Sequence, residues 1–190
     1  MSFEFSRRNF MKYTAVAAVA LAGASLFTGC KNSGDSYNLL KEGVGELTVL
    51  QVTAAMGNKN KDGKYTFPAL QVGQDGQDVK ISFPMSITNG RTNPIYVTPD
   101  NFKVVVTSSD GKTVKKYSVT IEDALKDTNL KKGSSVFGHV TTAQDVALKV
   151  GDVVVLTYCP DLQYNEYSLN WKLTVSKSES TSASPAPGTT

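Results

Sequence analysis

Two stretches of this chain alternate apolar and polar residues one for one. Val79, Ile81, Phe83, Met85 and Ile87 are separated by Lys80, Ser82, Pro84 and Ser86. Tyr167, Leu169, Trp171, Leu173 and Val175 are separated by Ser168, Asn170, Lys172 and Thr174. Successive side chains of a strand point to opposite faces, so each run gathers its apolar groups on one side; a helix would scatter them around its circumference. One wet and one dry face is the pattern of an antiparallel sheet buried on a single side. Such sheets must cover one another, and that requirement limits the chain to layered β architectures.

Five more strands are predicted between and before these two. Glu46 to Ala54 carries Leu47, Val49 and Leu50. Phe102 to Thr107 carries three consecutive valines, Asp110-Gly111 supplies a hairpin turn, and Val114 to Ile121 returns. Ser134 to Thr141 holds Val136 and Val140. Asp152 to Tyr158 is almost continuously apolar, as expected of a central strand, with Lys149-Val150-Gly151-Asp152 as the turn before it. Only Ile121 to Leu130, through Asp123-Ala124-Leu125-Lys126, hints at a short helical turn. Seven strands separated by turn signals predict an all-β fold, a two-layer antiparallel immunoglobulin-like β-sandwich. Labelled A to G, the strands start at Glu46, Asp78, Phe102, Val114, Ser134, Asp152 and Tyr167. The expected order places A, B, E and D in one sheet and C, F and G in the other; a small barrel is the alternative.

The ends of the chain read differently. Lys31 to Gly45 is polar and glycine-bearing, and Lys177 to Thr190 reads KSESTSASPAPGTT, with no apolar residue larger than alanine or proline. Neither buries enough surface to offset the entropy of ordering it. The sequence thus divides into residues 1–29, a signal peptide; 30–45, a tether; 46–176, the sandwich; and 177–190, a solvated tail.

The first thirty residues have the three parts of an export signal. Arg7, Arg8 and Lys12 form a positive start, Tyr13 to Phe27 carries no charge, and small residues precede the break. A helix of fifteen residues spans about 22 Å at ~1.5 Å per residue, short of the roughly 30 Å core of a bilayer. Ser6-Arg7-Arg8-Asn9-Phe10-Met11-Lys12 resembles the twin-arginine export signal, with Ser6, Arg7, Arg8, Phe10 and Lys12 filling the specified positions; a general secretory signal is the alternative. Leu26-Phe27-Thr28-Gly29-Cys30 resembles the bacterial lipobox, with Phe27 departing from the usual aliphatic residue. That resemblance implies a diacylglycerol thioether on Cys30, whose two chains would hold the protein at the membrane. The location implied is the extracytoplasmic face of the cell membrane, with the membrane and the export machinery as partners.

A second resemblance lies in the domain. Met85-Ser86-Ile87-Thr88-Asn89, Pro94-Ile95-Tyr96-Val97, Asn101-Phe102-Lys103-Val104, Asp110-Gly111-Lys112 and Leu130-Lys131-Lys132-Gly133-Ser134-Ser135-Val136-Phe137-Gly138 are similar to stretches of bacterial lipoproteins that carry a telokin-like, immunoglobulin-type domain of unknown function. The likeness covers about Val79 to Val140. It implies a sandwich fold in a cell-envelope setting and brings no catalytic residues. Gly57 to Gln77 is an insert relative to that pattern.

Residues that could carry chemistry are few. Losing Arg7, Arg8, Lys12 and Glu4 with the signal takes the formal charge from +3 to +1, and Lys115-Lys116 and Lys131-Lys132 are only pairs, so no nucleic-acid surface is expected. Once Cys30 carries lipid, Cys159 has no partner for a disulfide and reads as a small buried hydrophobe. His139 is the single histidine, and no nucleophile motif frames Ser134 or Ser135. Asn58-Lys59-Asn60-Lys61-Asp62-Gly63 has the oxygen spacing of a calcium loop but ends at Ala69 where a Glu is needed. A polar turn is the expectation, with no metal and no cofactor. The B–C, D–E and F–G connections would cluster at one end of the sandwich, presenting Asn89, Arg91 and Asn93; Asp127 and Asn129; and Asp161, Tyr164 and Asn165. The function expected is a non-catalytic envelope module that binds a protein or glycan partner. The alternatives are an enzyme or cofactor carrier exported folded, and an inhibitor or chaperone that uses an exposed strand edge.

Overall fold

The computed structural model describes residues 39–178 apart from 44, 68 and 165; the export signal, Cys30, the first part of the tether and the C-terminal tail lie outside the described residues. The main strands are β1 (Leu39–Glu42), β2 (Gly45–Val49), β3 (Val52–Met56), β4 (Ser82–Asn89), β5 (Phe102–Thr107), β6 (Val114–Tyr117), β7 (Val119–Ile121), β8 (Ser135–Thr142), β9 (Val153–Tyr158) and β10 (Leu169–Thr174). They form two five-stranded sheets with neighbour orders β1-β10-β9-β5-β6 and β7-β8-β4-β3-β2. Among the described residues there is no α-helix.

The alternation read from the sequence is the burial pattern of the molecule. Phe83, Met85 and Ile87 of β4 are fully buried, and they share one core with Leu169 and Trp171 of β10 and Val104, Val154 and Leu156 of β5 and β9 in the other sheet, all of them fully buried too. The apolar strand Val153–Tyr158 lies at the centre of its sheet, between β5 and β10. Strands A, B and E fall in one sheet and C, F and G in the other, as expected, while strand D is shared between the two.

Three expectations change in detail. Strand D divides at Ser118: Val114–Tyr117 pairs with β5, and Val119–Ile121 pairs with β8 in the opposite sheet. Strand A is a hairpin, because Leu50 and Gln51 both adopt positive φ (49° and 59°) and turn β2 back onto β3. The tether ends before Gly45, since Leu39–Glu42 already forms a strand that runs parallel to β10. Leu39 packs against the core and so supplies the apolar contact that a polar tether lacks. Chain switching between sheets thus closes one side of the sandwich through residues 114–121, and β1 covers the free edge of β10.

The segment Ile121 to Leu130 is a single turn followed by a strand. Leu125 N–H and Lys126 N–H both donate to Glu122 O, and Asp127–Leu130 then pairs with Ile95–Val97. The Gly57–Gln77 insert contributes the small hairpin Asn58–Lys59 with Tyr65–Thr66, and Gln71–Val72 pairs in parallel with Ser176–Lys177.

Candidate functional site

Strand register places the B–C, D–E and F–G connections at one pole. Val52 faces Asn89, Thr88 faces Ser135, Phe102 faces Tyr158, and Tyr158 faces Leu169. Most of the polar residues nominated there are committed to holding the loops. Asn89 is fully buried; its Nδ2 donates to Asn93 O (3.0 Å) and Leu130 O (2.9 Å), and its Oδ1 accepts from Arg91 N (2.8 Å). Arg91 pairs with Asp161 at 3.2 Å, tying the B–C loop to the F–G loop. Asp127 Oδ1 accepts from Asn129 N at 2.7 Å. Asn165 lies outside the described residues. The sequence missed the buried Asn101, whose Nδ2 donates to Cys159 O at 2.8 Å while its Oδ1 accepts from the backbone and hydroxyl of Thr98. Alongside exposed polar residues such as Asn93, Asn129 and Gln163, the pole offers two large apolar side chains to solvent: Leu162 and Tyr164 are each 52% exposed.

The other sequence candidates also resolve into structural roles. Cys159 is free and buried; its Sγ–H donates to Asp161 O at 3.2 Å, and burial pushes the thiol pKa up. A raised pKa disfavours the thiolate that nucleophilic chemistry needs. Ser135 Oγ is engaged with Thr88 Oγ1 at 2.7 Å. His139 faces Glu122, with Nδ1 3.0 Å from Oε1, a hydrogen bond whenever that nitrogen carries a proton. The His139 backbone N–H donates to Glu122 Oε2 at 3.0 Å. Both carboxylate oxygens therefore grip one residue, and the hydrogen bond from the ring, first among the causes, lowers the Glu122 pKa. This pair clamps the 122–125 turn onto β8. Asn60 Oδ1 accepts from the backbone N–H of Asp62 (3.0 Å) and Lys64 (2.9 Å), which makes the calcium-like segment a polar turn. Among the described residues no three metal-ligating side chains cluster.

One concavity among the described residues lies elsewhere, on the flank where the chain crosses from β1 to β2. It is a groove of about 370 Å³ lined by Lys41, Gly45, Glu46, Lys59, Gly63, Lys64 and Tyr65. Gly45, at φ +142°, lets the Lys41 side chain fold directly against the backbone, where a Cβ would collide with it. Lys59 Nζ stands 5.6 Å from the centroid of the Tyr65 ring, a cation–π arrangement that holds the ammonium over the groove wall. Three ammonium groups against one carboxylate, Glu46, give the groove a positive balance. No local motif announces it, because its lysines come from one main strand and a separate small hairpin.

Among the described residues no helix is long and apolar enough to cross a membrane. The TAT (twin-arginine translocation) pathway signal sequence model matches residues 4–24. No curated protein matches the chain in sequence. Two solved structures are similar over much of the chain. One is a protein named as a lipoprotein (ycdA) from Bacillus subtilis subsp. subtilis str. 168, at 18% identity and a TM-score of 0.45, covering 68% of this chain and 38% of that one. The other is AvmM, which catalyses macrocyclization in alchivemycin A biosynthesis, at 11% identity and a TM-score of 0.33, covering 78% of this chain and 99% of that one. At TM-scores this low neither likeness extends to function. The chain carries a twin-arginine export signal and is a protein exported across the cytoplasmic membrane.

Proposed function

We propose that this protein is a lipid-anchored, extracytoplasmic binding module. Its anchor is a diacylglycerol thioether on Cys30, its body a non-catalytic sandwich of the immunoglobulin type, and its ligand an anionic polymer of the cell envelope held in the flank groove. The single observation that carries the reading is the twin-arginine signal running directly into Leu26-Phe27-Thr28-Gly29-Cys30. Two acyl chains on one residue are enough for stable anchoring, where a single chain gives only reversible attachment. The internal commitments of Cys159, Ser135 and Glu122 favour a binding role over an enzyme. The inhibitor or chaperone alternative loses strand G as its exposed edge, because β1 already covers it.

The groove supports the ligand class through charge. Lys41, Lys59 and Lys64 converge around Tyr65 with only Glu46 opposing them, a pattern that attracts phosphate or carboxylate groups spaced along a chain. Detergent partitioning of wild-type protein and Cys30→Ala tests the anchor: the wild type enters the detergent phase and the variant does not. Titration with poly(glycerol phosphate) tests the groove. Binding is expected to weaken by about tenfold or more in the triple variant Lys41→Gln, Lys59→Gln, Lys64→Gln and to fall with added salt. Equal binding by both proteins removes the groove from the function.

A further inference from the structure

We infer that the pole carrying the B–C, D–E and F–G loops faces the bilayer, and that Leu162 and Tyr164 dip into its interfacial layer. The inference rests on the Cys30 anchor. The tether enters the fold at this pole: Leu39 pairs with Leu169 at the start of β10, and Leu39 N–H donates to Ser168 O at 2.8 Å, within the F–G connection. From Cys30 to Leu39 is nine residue steps, at most about 32 Å when fully extended at ~3.6 Å each. The F–G loop is therefore confined near the lipid, and a tether that short gives even a weak contact a high effective concentration. The turns at Ser108–Thr113 and Lys149–Asp152 lie at the far ends of β5 and β9.

The loop is built to present apolar groups. Several of its polar atoms tie the loop internally: Asp161 takes Arg91, Cys159 Sγ–H donates to Asp161 O, Tyr164 N–H donates to Asp161 O at 3.0 Å, and Tyr167 N–H donates to Tyr164 O at 3.0 Å, while the Gln163 and Glu166 side chains are exposed. The Tyr164 ring stands edge-on to Tyr167, with centroids 6.5 Å apart. A stapled loop holds its two large exposed side chains outward without an ordering cost on contact, and tyrosine with one apolar and one polar end suits the membrane–water interface. Charge does not drive the contact, because Arg91 and Asp161 pair with each other and Lys131 and Lys132 at this pole are opposed by Asp100, Asp127 and Glu166. The occupant is thus the lipid interface itself, and neutral lipid suffices.

The test uses the full, lipidated chain in protein-free phosphatidylcholine vesicles. In a Cys159→Ser background, which removes the thiol and keeps a donor for Asp161 O, Leu162→Cys and, as a control at the far end, Lys112→Cys are reacted with a membrane-impermeant maleimide. The expected result is labelling at position 162 slowed about tenfold or more relative to position 112, independent of salt, with the difference abolished by detergent. Equal rates at the two positions on vesicle-bound protein overturn membrane docking and leave the anchor intact. Protection in native membranes but not in protein-free vesicles also overturns it, since a protein would then be the occupant. Protein that fails to stay with the vesicles overturns both readings, which separates the failure of the anchor from the failure of the docking.

Discussion

At the scale of single residues, Gly138 decides how the 122–125 turn lies on the sheet. A Cβ on Gly138 would sit 2.9 Å from Leu125 Cβ and 3.2 Å from Glu122 Oε2. Leu125 is fully buried and cannot retreat. Gly138→Ala is therefore expected to destabilise the protein by about 1–3 kcal/mol, read as a lower urea midpoint at unchanged slope. The neighbouring Glu122 adds a pH dependence. Its folded pKa is lowered from 4.5 by the His139 hydrogen bond, so the stability it contributes is complete above that ordinary value. It is lost as pH falls through the lowered folded value. The melting-temperature gap between wild type and Glu122→Gln should be present above about pH 5 and should close in acid, as pH falls through the lowered Glu122 value; a gap that persists in strong acid contradicts the clamp. Nothing in the sequence marked this pair, because Glu122 and His139 are seventeen residues apart and meet only through the β7–β8 pairing.

At the scale of elements, the β2–β3 hairpin carries strain the sequence concealed. Two-residue turns with both φ values positive favour Asn-Gly, because only small or glycine residues avoid the Cβ–carbonyl clash. Here the positions are Leu50 and Gln51. The strain is tolerated because Leu50 packs on the core and Gln51 O accepts the Gly90 N–H at 2.8 Å. Gly90 is needed for that approach, since a Cβ there would lie 2.5 Å from the same oxygen. Gln51→Gly keeps the carbonyl and relieves one strained residue: about 1–2 kcal/mol of left-handed strain, less about 0.4–1 kcal/mol of added unfolded-chain entropy, leaves an expected gain of about 0.5–1 kcal/mol, or about 2–4 °C in melting temperature. A drop in melting temperature would show that the turn is not strained. The same hairpin explains why strand A reads as one continuous run: Leu47, Val49 and Leu50 give no turn signal, and no Asn-Gly marks the reversal.

At the scale of the whole molecule, one core shared by two sheets must melt as a unit. Trp171, the single tryptophan, is fully buried and donates from Nε1 to Gly45 O at 3.0 Å, joining strand G to the start of β2 in the other sheet. Its fluorescence and the far-ultraviolet circular dichroism should therefore report coincident transitions in urea. With one cysteine read as lipidated and the other free and buried, dithiothreitol should leave that midpoint unchanged. Separated transitions would mean that the sheets unfold independently. Lys115 and Lys116 are exposed on edge strand β6, where charge discourages pairing with another chain.

The chain's alternation by itself determined the sheets, their inward residues and the central place of Val153–Tyr158, because strand periodicity is a local property. The export signal was equally legible, because it is read as a contiguous string. Tertiary structure alone decided the rest. It turned Asn89, Arg91 and Asp161 from exposed recognition candidates into loop staples, since a polar residue in a loop does not disclose whether its partner is solvent or a distant backbone. It also gathered Lys41, Lys59 and Lys64 into one groove and set the tether's entry point at the end of the loop that carries Leu162 and Tyr164. Those are distances between segments far apart in sequence, fixed by strand pairing and by the crossing from one sheet to the other.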